Sequence, residues 1–162
     1  MKKNDVWFID YCRSLSVNPE WLWNLISFES NWNPLAKNPY SSARGLIQFI
    51  NSTAISLGYT SSDDLVTKNP DVKSQLLFPV KAYLMAYSPF TTEQSLYMAV
   101  FYPKARKWSL STEFPDNIKK VNPGIKTVGD YVNKVRLKAA RNSNINIMLL
   151  IAASFLLYKL FI

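Results

Sequence analysis

Residues 18–34 read Asn18-Pro19-Glu20-Trp21-Leu22-Trp23-Asn24-Leu25-Ile26-Ser27-Phe28-Glu29-Ser30-Asn31-Trp32-Asn33-Pro34. Asn18 is able to cap a helix, and Pro19 fits the first turn, where a missing amide hydrogen is tolerated. Leu22, Leu25, Ile26 and Glu29 follow at helical spacing and share one face. The helix is expected to run to about Ser30, and Asn33-Pro34 ends it. Glu29 is the sole acid between positions 21 and 62. It continues an apolar stripe and sits near a helix C-terminus, where the dipole disfavours negative charge. Both effects raise a carboxyl pKa. A raised pKa suits a general acid that protonates a glycosidic oxygen near neutral pH. On position alone, a boundary glutamate whose head reaches water competes with that reading.

Outward from this helix, the pattern is mostly helical over about residues 4–141. The segment Leu35 to Arg44 holds Asn38-Pro39 and serines and reads as a loop. Gly45 to Leu57 is expected to be helical, with Gly58 as its stop. Asp71 to Tyr87 reads as a long helix that tolerates Pro79 with a kink or an early break. Thr92 to Phe101 is another helix, ended by Pro103. Asn122-Pro123-Gly124 is a turn. Val128, Tyr131, Val132 and Val135 form the stripe of a last amphipathic helix. Cys12 is expected to be a packed small hydrophobe in the first helix. Trp7, Phe8, Trp21 and Trp23 are expected to pack internally, and Trp32, Tyr40, Phe49 and Tyr102 to line a cleft.

The composition narrows the chemistry. A domain of roughly 130 residues buries a core without covalent staples. The single cysteine rules out an internal disulfide, and there are no histidines. That leaves no zinc shell and no serine or cysteine triad. Acid/base work falls to carboxylates, tyrosines or lysines. The net charge of +8 suits anionic lipid, nucleic acid or an anionic wall polymer. A nucleic-acid module is disfavoured, because the basic run abuts an apolar tail rather than interleaving with aromatics.

The block Glu29-Ser30-Asn31-Trp32-Asn33-Pro34, then Lys37-Asn38-Pro39, then Ser42-Ala43-Arg44-Gly45-Leu46-Ile47-Gln48-Phe49 with Thr53-Ala54, resembles the soluble lytic transglycosylase family of the lysozyme-like superfamily. Gln75-Leu76 to Tyr83-Leu84 is similar to the family's middle helix, and Thr127 to Val135 to its closing helix. Ala99-Val100-Phe101-Tyr102-Pro103 and Asn122-Pro123-Gly124-Ile125 resemble phage-encoded members. The resemblance implies a mostly α, lysozyme-like domain over residues 1–141 that cleaves peptidoglycan glycan strands without cofactor or metal. It implies Glu29 as the catalytic acid/base and Tyr131 as its hydrogen-bond partner. It places Ser30, Asn38, Ser42, Gly45, Leu46, Gln48, Phe49 and Tyr102 at the substrate. Two departures stand out. The loop before Gly45 is one residue longer than in common members, and the asparagine of the family's Ala-Tyr-Asn block is not preserved in register.

A glycosidase of the common kind flanks the bond with two carboxyl groups. After Glu29 none is available until Asp63 and Asp64, in a run that reads as a polar turn. That absence argues for a single-acid mechanism, and the family resemblance implies a cut between N-acetylmuramic acid and N-acetylglucosamine that forms a 1,6-anhydro product. A hydrolytic muramidase on the same fold, using Asp63 or Asp64, is the alternative within the enzymes. A virion membrane protein that only binds glycan is the alternative outside them.

Residues 145–162 read INIMLLIAASFLLYKLFI. As a helix they would span about 27 Å at 1.5 Å each, close to a bilayer's hydrocarbon core. A C-terminal transmembrane anchor over residues 142–162 is expected, with a buried or partner-binding helix as the alternative. The flank carries Lys119, Lys120, Lys126, Lys134, Arg136, Lys138 and Arg141, which suits a cytoplasmic membrane face. A location in the internal membrane of a phage virion, or in the host inner membrane for lysis, would reconcile that topology with a wall substrate.

Overall fold

The computed structural model describes residues 2–141. The first two helices are α1, Val6–Ser14, and α2, Pro19–Glu29. The Asn18 side chain accepts from Glu20 N at 2.8 Å, so the capped start expected from Asn18-Pro19 is present. Leu22, Leu25 and Ile26 are fully buried and α2 packs against α1. Phe8 and Cys12 are buried, and Trp7, Trp21 and Trp23 pack against the same core.

Two short helices follow the loop, α3, Asn51–Ser56, and α4, Ser62–Lys68. The helix expected from Gly45 onward starts only at Asn51. Arg44 N donates to Phe49 O at 3.0 Å and Phe49 N returns to Arg44 O at 2.8 Å, closing a bridged loop. Gly45 has φ +75° and Gln48 has φ +55°, left-handed values that a helix does not accept. Asp63 and Asp64 sit in the first turn of α4, where a turn-like run was expected.

The rod from residue 72 to 85 is helical in three stages: α5, Val72–Gln75; a π turn, Leu76–Val80; and α6, Lys81–Met85. Pro79 lies inside the π turn. Its ring and missing amide hydrogen disfavour regular α geometry. The ladder widens instead, and Lys81 N donates to Leu76 O, five residues back. The long helix expected over Asp71–Tyr87 thus persists with a local defect at its proline.

Helix α7, Glu93–Phe101, has a reciprocal cap between Thr92 and Ser95 and packs on α2. A 3₁₀ turn, Pro103–Ala105, and α8, Asp116–Val121, lead to a closing helix, α9, over residues 128–141. Val128, Tyr131, Val132 and Val135 are all buried, so the amphipathic stripe faces the core as expected. Isolated bridges join Lys37 to Arg44, Arg44 to Phe49 and Glu113 to Thr127.

Among the described residues no helix is long and apolar enough to cross a membrane. The expected transmembrane segment, 142–162, lies outside the described residues.

Candidate active site

Glu29 is the last residue of α2, and the chain reverses immediately after it. Asn31 and Trp32 take φ values of 52° and 62°. Two successive left-handed residues without glycine are held only if something fixes them. Trp32 supplies the hold. Its ring lies 4.2 Å from that of Trp23 and meets Phe8 edge-on at 5.5 Å. Its Nε1 donates to Ser27 Oγ at 3.0 Å. Ser30 Oγ donates to Ile26 O at 3.2 Å and closes the helix end.

The Glu29 carboxyl opens on a cleft of about 950 Å³. The wall takes Asn38, Tyr40, Gln48 and Phe49 from the loops after α2, and Thr53 and Ser56 from α3. Tyr83 and Tyr87 come from α6 and its end, Phe101 and Tyr102 from the end of α7, and Ile118, Val121 and Asn122 from α8. Among the described residues that line it, Glu29 is the only one with an acidic or basic side chain of the Asp, Glu, Lys or Arg kind.

Tyr131, from α9, donates its phenolic hydrogen to Glu29 Oε1. Its ring is stacked on Phe101 at 4.2 Å and meets Phe28 edge-on at 5.4 Å. Burial pushes the Glu29 carboxyl up from 4.5 to about 7, against the Tyr131 hydrogen bond, which pulls it down. Glu29 keeps some surface on the cleft, so the desolvation comes from the apolar atoms packed around the carboxyl rather than from complete enclosure. Burial first, and the neighbouring carboxylate second, hold the Tyr131 hydroxyl well above its ordinary value, so it stays a donor. The arrangement lets one carboxyl keep its proton well above the usual carboxylate range, beside a groove rich in hydroxyl, amide and aromatic groups.

Of the expected substrate-binding residues, Asn38, Gln48, Phe49 and Tyr102 line the cleft together with Glu29. Ser30, Ser42, Gly45 and Leu46 do not. Ser42 is tied to the loop: its Oγ accepts from Asn51 N at 3.1 Å, and its carbonyl accepts from Ser62 Oγ. Leu46 is fully buried and Gly45 lies against Gln75. Gln75 holds these loops from inside. Its Oε1 accepts from Leu46 N at 2.9 Å, and its Nε2 donates to Pro34 O at 2.6 Å and Asn69 O at 2.9 Å. Trp32 packs inward instead of lining the cleft.

Tyr83 and Tyr87 of the wall were not singled out from sequence. Tyr83 Oη donates to Ala99 O at 2.6 Å, and its ring meets Phe49 edge-on. Their spacing, four apart on a helix whose other face is apolar, was the available signal. Asp63 pairs with Arg44, and Asp64 accepts from Thr60 N and Lys68 Nζ, each at 3.0 Å. Neither lines the cleft.

Residues 7–98 match the family model described as the transglycosylase SLT domain, and the chain belongs to that lytic transglycosylase family, with its lysozyme-like domain. The family carries peptidoglycan cleavage of the lytic transglycosylase type. The match includes Glu29 and the loop through Phe49, and ends before Phe101, Tyr102 and Tyr131. No curated protein and no solved structure matches the chain.

Proposed function

We propose that this chain is a peptidoglycan lytic transglycosylase in which Glu29 is the sole acid/base. The observation that carries the reading is the single carboxyl in the cleft wall, raised to about 7. Glu29 protonates the glycosidic oxygen of the departing N-acetylglucosamine as the bond to C1 of N-acetylmuramic acid breaks. The acetamido oxygen of the muramic residue attacks C1 and takes the place of a second carboxylate. The Glu29 carboxylate then removes the proton of the muramic C6 hydroxyl. O6 bonds to C1, the acetamido oxygen leaves, and a 1,6-anhydro ring results. Holding the C6 hydroxyl beside C1 replaces a bimolecular attack by water with an intramolecular step. Asn38, Gln48, Phe49 and Tyr102 hold the glycan strand, with the Gln48 amide suited to an acetamido group.

The test is mass analysis of muropeptides released from purified sacculi by wild type and Glu29→Gln. The expected wild-type products carry the anhydro mass, one water less than hydrolysis gives, and the variant releases none. Hydrolysed ends would replace the proposal with a muramidase. Binding to sacculi without release by the wild type would replace it with a glycan-binding protein.

We also propose that residues 145–162 anchor the enzyme in a lipid bilayer, in a phage virion's internal membrane or the host inner membrane. The apolar run and its basic flank support this. Flotation of the full chain with vesicles, lost on removing residues 145–162, is the expected result. A full chain that stays in the aqueous fraction would end the idea.

A further inference from the structure

Phe101 occupies an unusual place. It is the last residue of α7, it lines the cleft, and its ring covers the Tyr131 ring at 4.2 Å with only 21° between planes. Its far edge meets Phe114 at 5.3 Å, and Phe114 is buried against Tyr102 and Trp108. The ring is therefore braced from behind and has cleft in front of it. Phe28 meets the Tyr131 ring edge-to-face at 5.4 Å. A hydrocarbon ring thus stands in the cleft wall beside the Tyr131–Glu29 pair.

We propose that Phe101 is a positioning residue that seals the Tyr131–Glu29 hydrogen bond from cleft water. The stack fixes the plane of the Tyr131 ring, and so the direction in which its hydroxyl donates. Phe101 and Glu29 line the same cleft, so the ring that covers Tyr131 also limits the water that reaches the bond Tyr131 makes to Glu29. A carboxyl covered by hydrocarbon holds its proton to higher pH than a hydrated one. The titratable groups near the pair are few. Tyr131 comes from α9. Tyr97 comes from α7, with Glu93 and Arg136 paired beyond it. From the cleft wall come the tyrosines Tyr40, Tyr83, Tyr87 and Tyr102. Among the described residues the lining brings no lysine, arginine or second carboxylate, so hydration is the main variable left to set the titration of Glu29.

The inference deepens the proposed catalytic role of Glu29, and its test does not need activity. The protonation of Glu29 is followed by carbon NMR of the folded full-length chain with labelled glutamate carboxyls, its signal assigned by its loss in Glu29→Gln. Wild type is compared with Phe101→Asn, Phe101→Thr and Phe101→Leu. The two polar variants are expected to titrate at least about one unit lower than wild type, and the leucine variant within about half a unit of it. In parallel, the alkaline limb of sacculus cleavage moves down by the same amount in Asn and Thr. If Phe101→Asn does not fold, the threonine variant carries the comparison. Unchanged titration in the polar variants that fold overturns the seal. So does an equal drop in the leucine variant, since apolar cover would then not be the cause. If neither polar variant folds, Phe101 is a core residue and the seal is likewise overturned. Titrations that shift as expected in a protein that never cleaves sacculi would leave the seal standing and remove the proposed reaction.

Discussion

Tyr131 Oη donates to Glu29 Oε1 across 102 residues of sequence, joining the closing helix to the end of α2. The bond favours the carboxylate, so its removal raises the Glu29 pKa above about 7. A charge-assisted bond of about 1.5 kcal/mol corresponds to roughly one unit. In Tyr131→Phe the alkaline limb of kcat/KM is expected to move up by about that amount, while the maximal rate falls because the carboxyl is no longer aimed. A pH–rate profile on sacculi reads both. A limb that stays in place would mean that the bond does not govern the proton.

Glu29 also has a consequence for stability. Its folded-state pKa, about 7, lies above the ordinary 4.5. The folded chain then holds a proton that the unfolded chain releases between those values. The Glu29 contribution to stability is fully present below 4.5, is lost as pH rises to about 7, and is constant beyond. The loss is at most about 3 kcal/mol, less whatever the cleft-facing surface recovers through solvent. Glu29→Gln cannot ionise and avoids that loss. It is expected to lose at least about 100-fold in cleavage, yet to be more stable than wild type at pH 8, with the gap closing by pH 4.5. Urea unfolding at the two pH values measures it, and equal gaps at both would contradict the burial argument.

Gly45 and Gly58 both have positive φ, +75° and +88°, but differ in their surroundings. A Cβ on Gly45 would stand 2.5 Å from Gln75 Oε1, whereas one on Gly58 meets nothing within 4 Å. Gly58→Ala carries only the left-handed cost, about 1 kcal/mol. Gly45→Ala adds the disruption of a fully buried amide that holds three loop segments, for a total of about 3 kcal/mol. Thermal melts of the two variants should separate clearly. Similar melting temperatures would show that Gln75 gives way without loss.

The sequence was most legible where one local rule was enough. Asn18-Pro19 announced the start of α2, and the spacing of Leu22, Leu25 and Ile26 announced its buried face. The four apolar positions of α9 were equally plain. The stretch from Gly45 to Ile50 was read as the start of a helix because its left-handed positions include Gln48, a residue with no intrinsic preference for them. The Glu29–Tyr131 pairing came from family resemblance, since no local pattern links residues 102 apart. Gln75 was hidden for a related reason. A glutamine in a helix reads as solvated, and only the folded loops around it reveal its three backbone partners. Gly45 and Leu46 were expected at the substrate; they lie against Gln75, in the loop that carries Gln48 into the cleft wall.

Asp63 and Asp64 were the acids available to a two-carboxylate mechanism. Asp63 is committed to Arg44, and Asp64 to Thr60 and Lys68, away from the cleft. Asp63→Asn and Asp64→Asn are expected to keep cleavage within about threefold of wild type, far from the 100-fold or greater loss of a missing acid/base. Initial rates on sacculi decide it. A collapse of activity in either variant, with the melt unchanged, would bring a second carboxylate back into the mechanism.

Trp32 offers the last separation, between packing and chemistry. It does not line the cleft, but it fixes the left-handed pair that turns the chain after Glu29. Trp32→Ala removes the stack on Trp23, the edge contact with Phe8 and the bond to Ser27, at a cost of about 3 kcal/mol. With the turn released, Glu29 loses its fixed aim, and kcat should fall by more than KM rises. Trp32→Phe keeps the ring contacts and gives up the indole hydrogen bond, so a loss of about 1 kcal/mol is expected while most of kcat is kept. Asn31→Gly, which relieves a left-handed position without touching the ring, should leave kcat within about twofold, because the turn is held by the tryptophan. A glycine variant as impaired as Trp32→Ala would place the control of the turn at Asn31 instead.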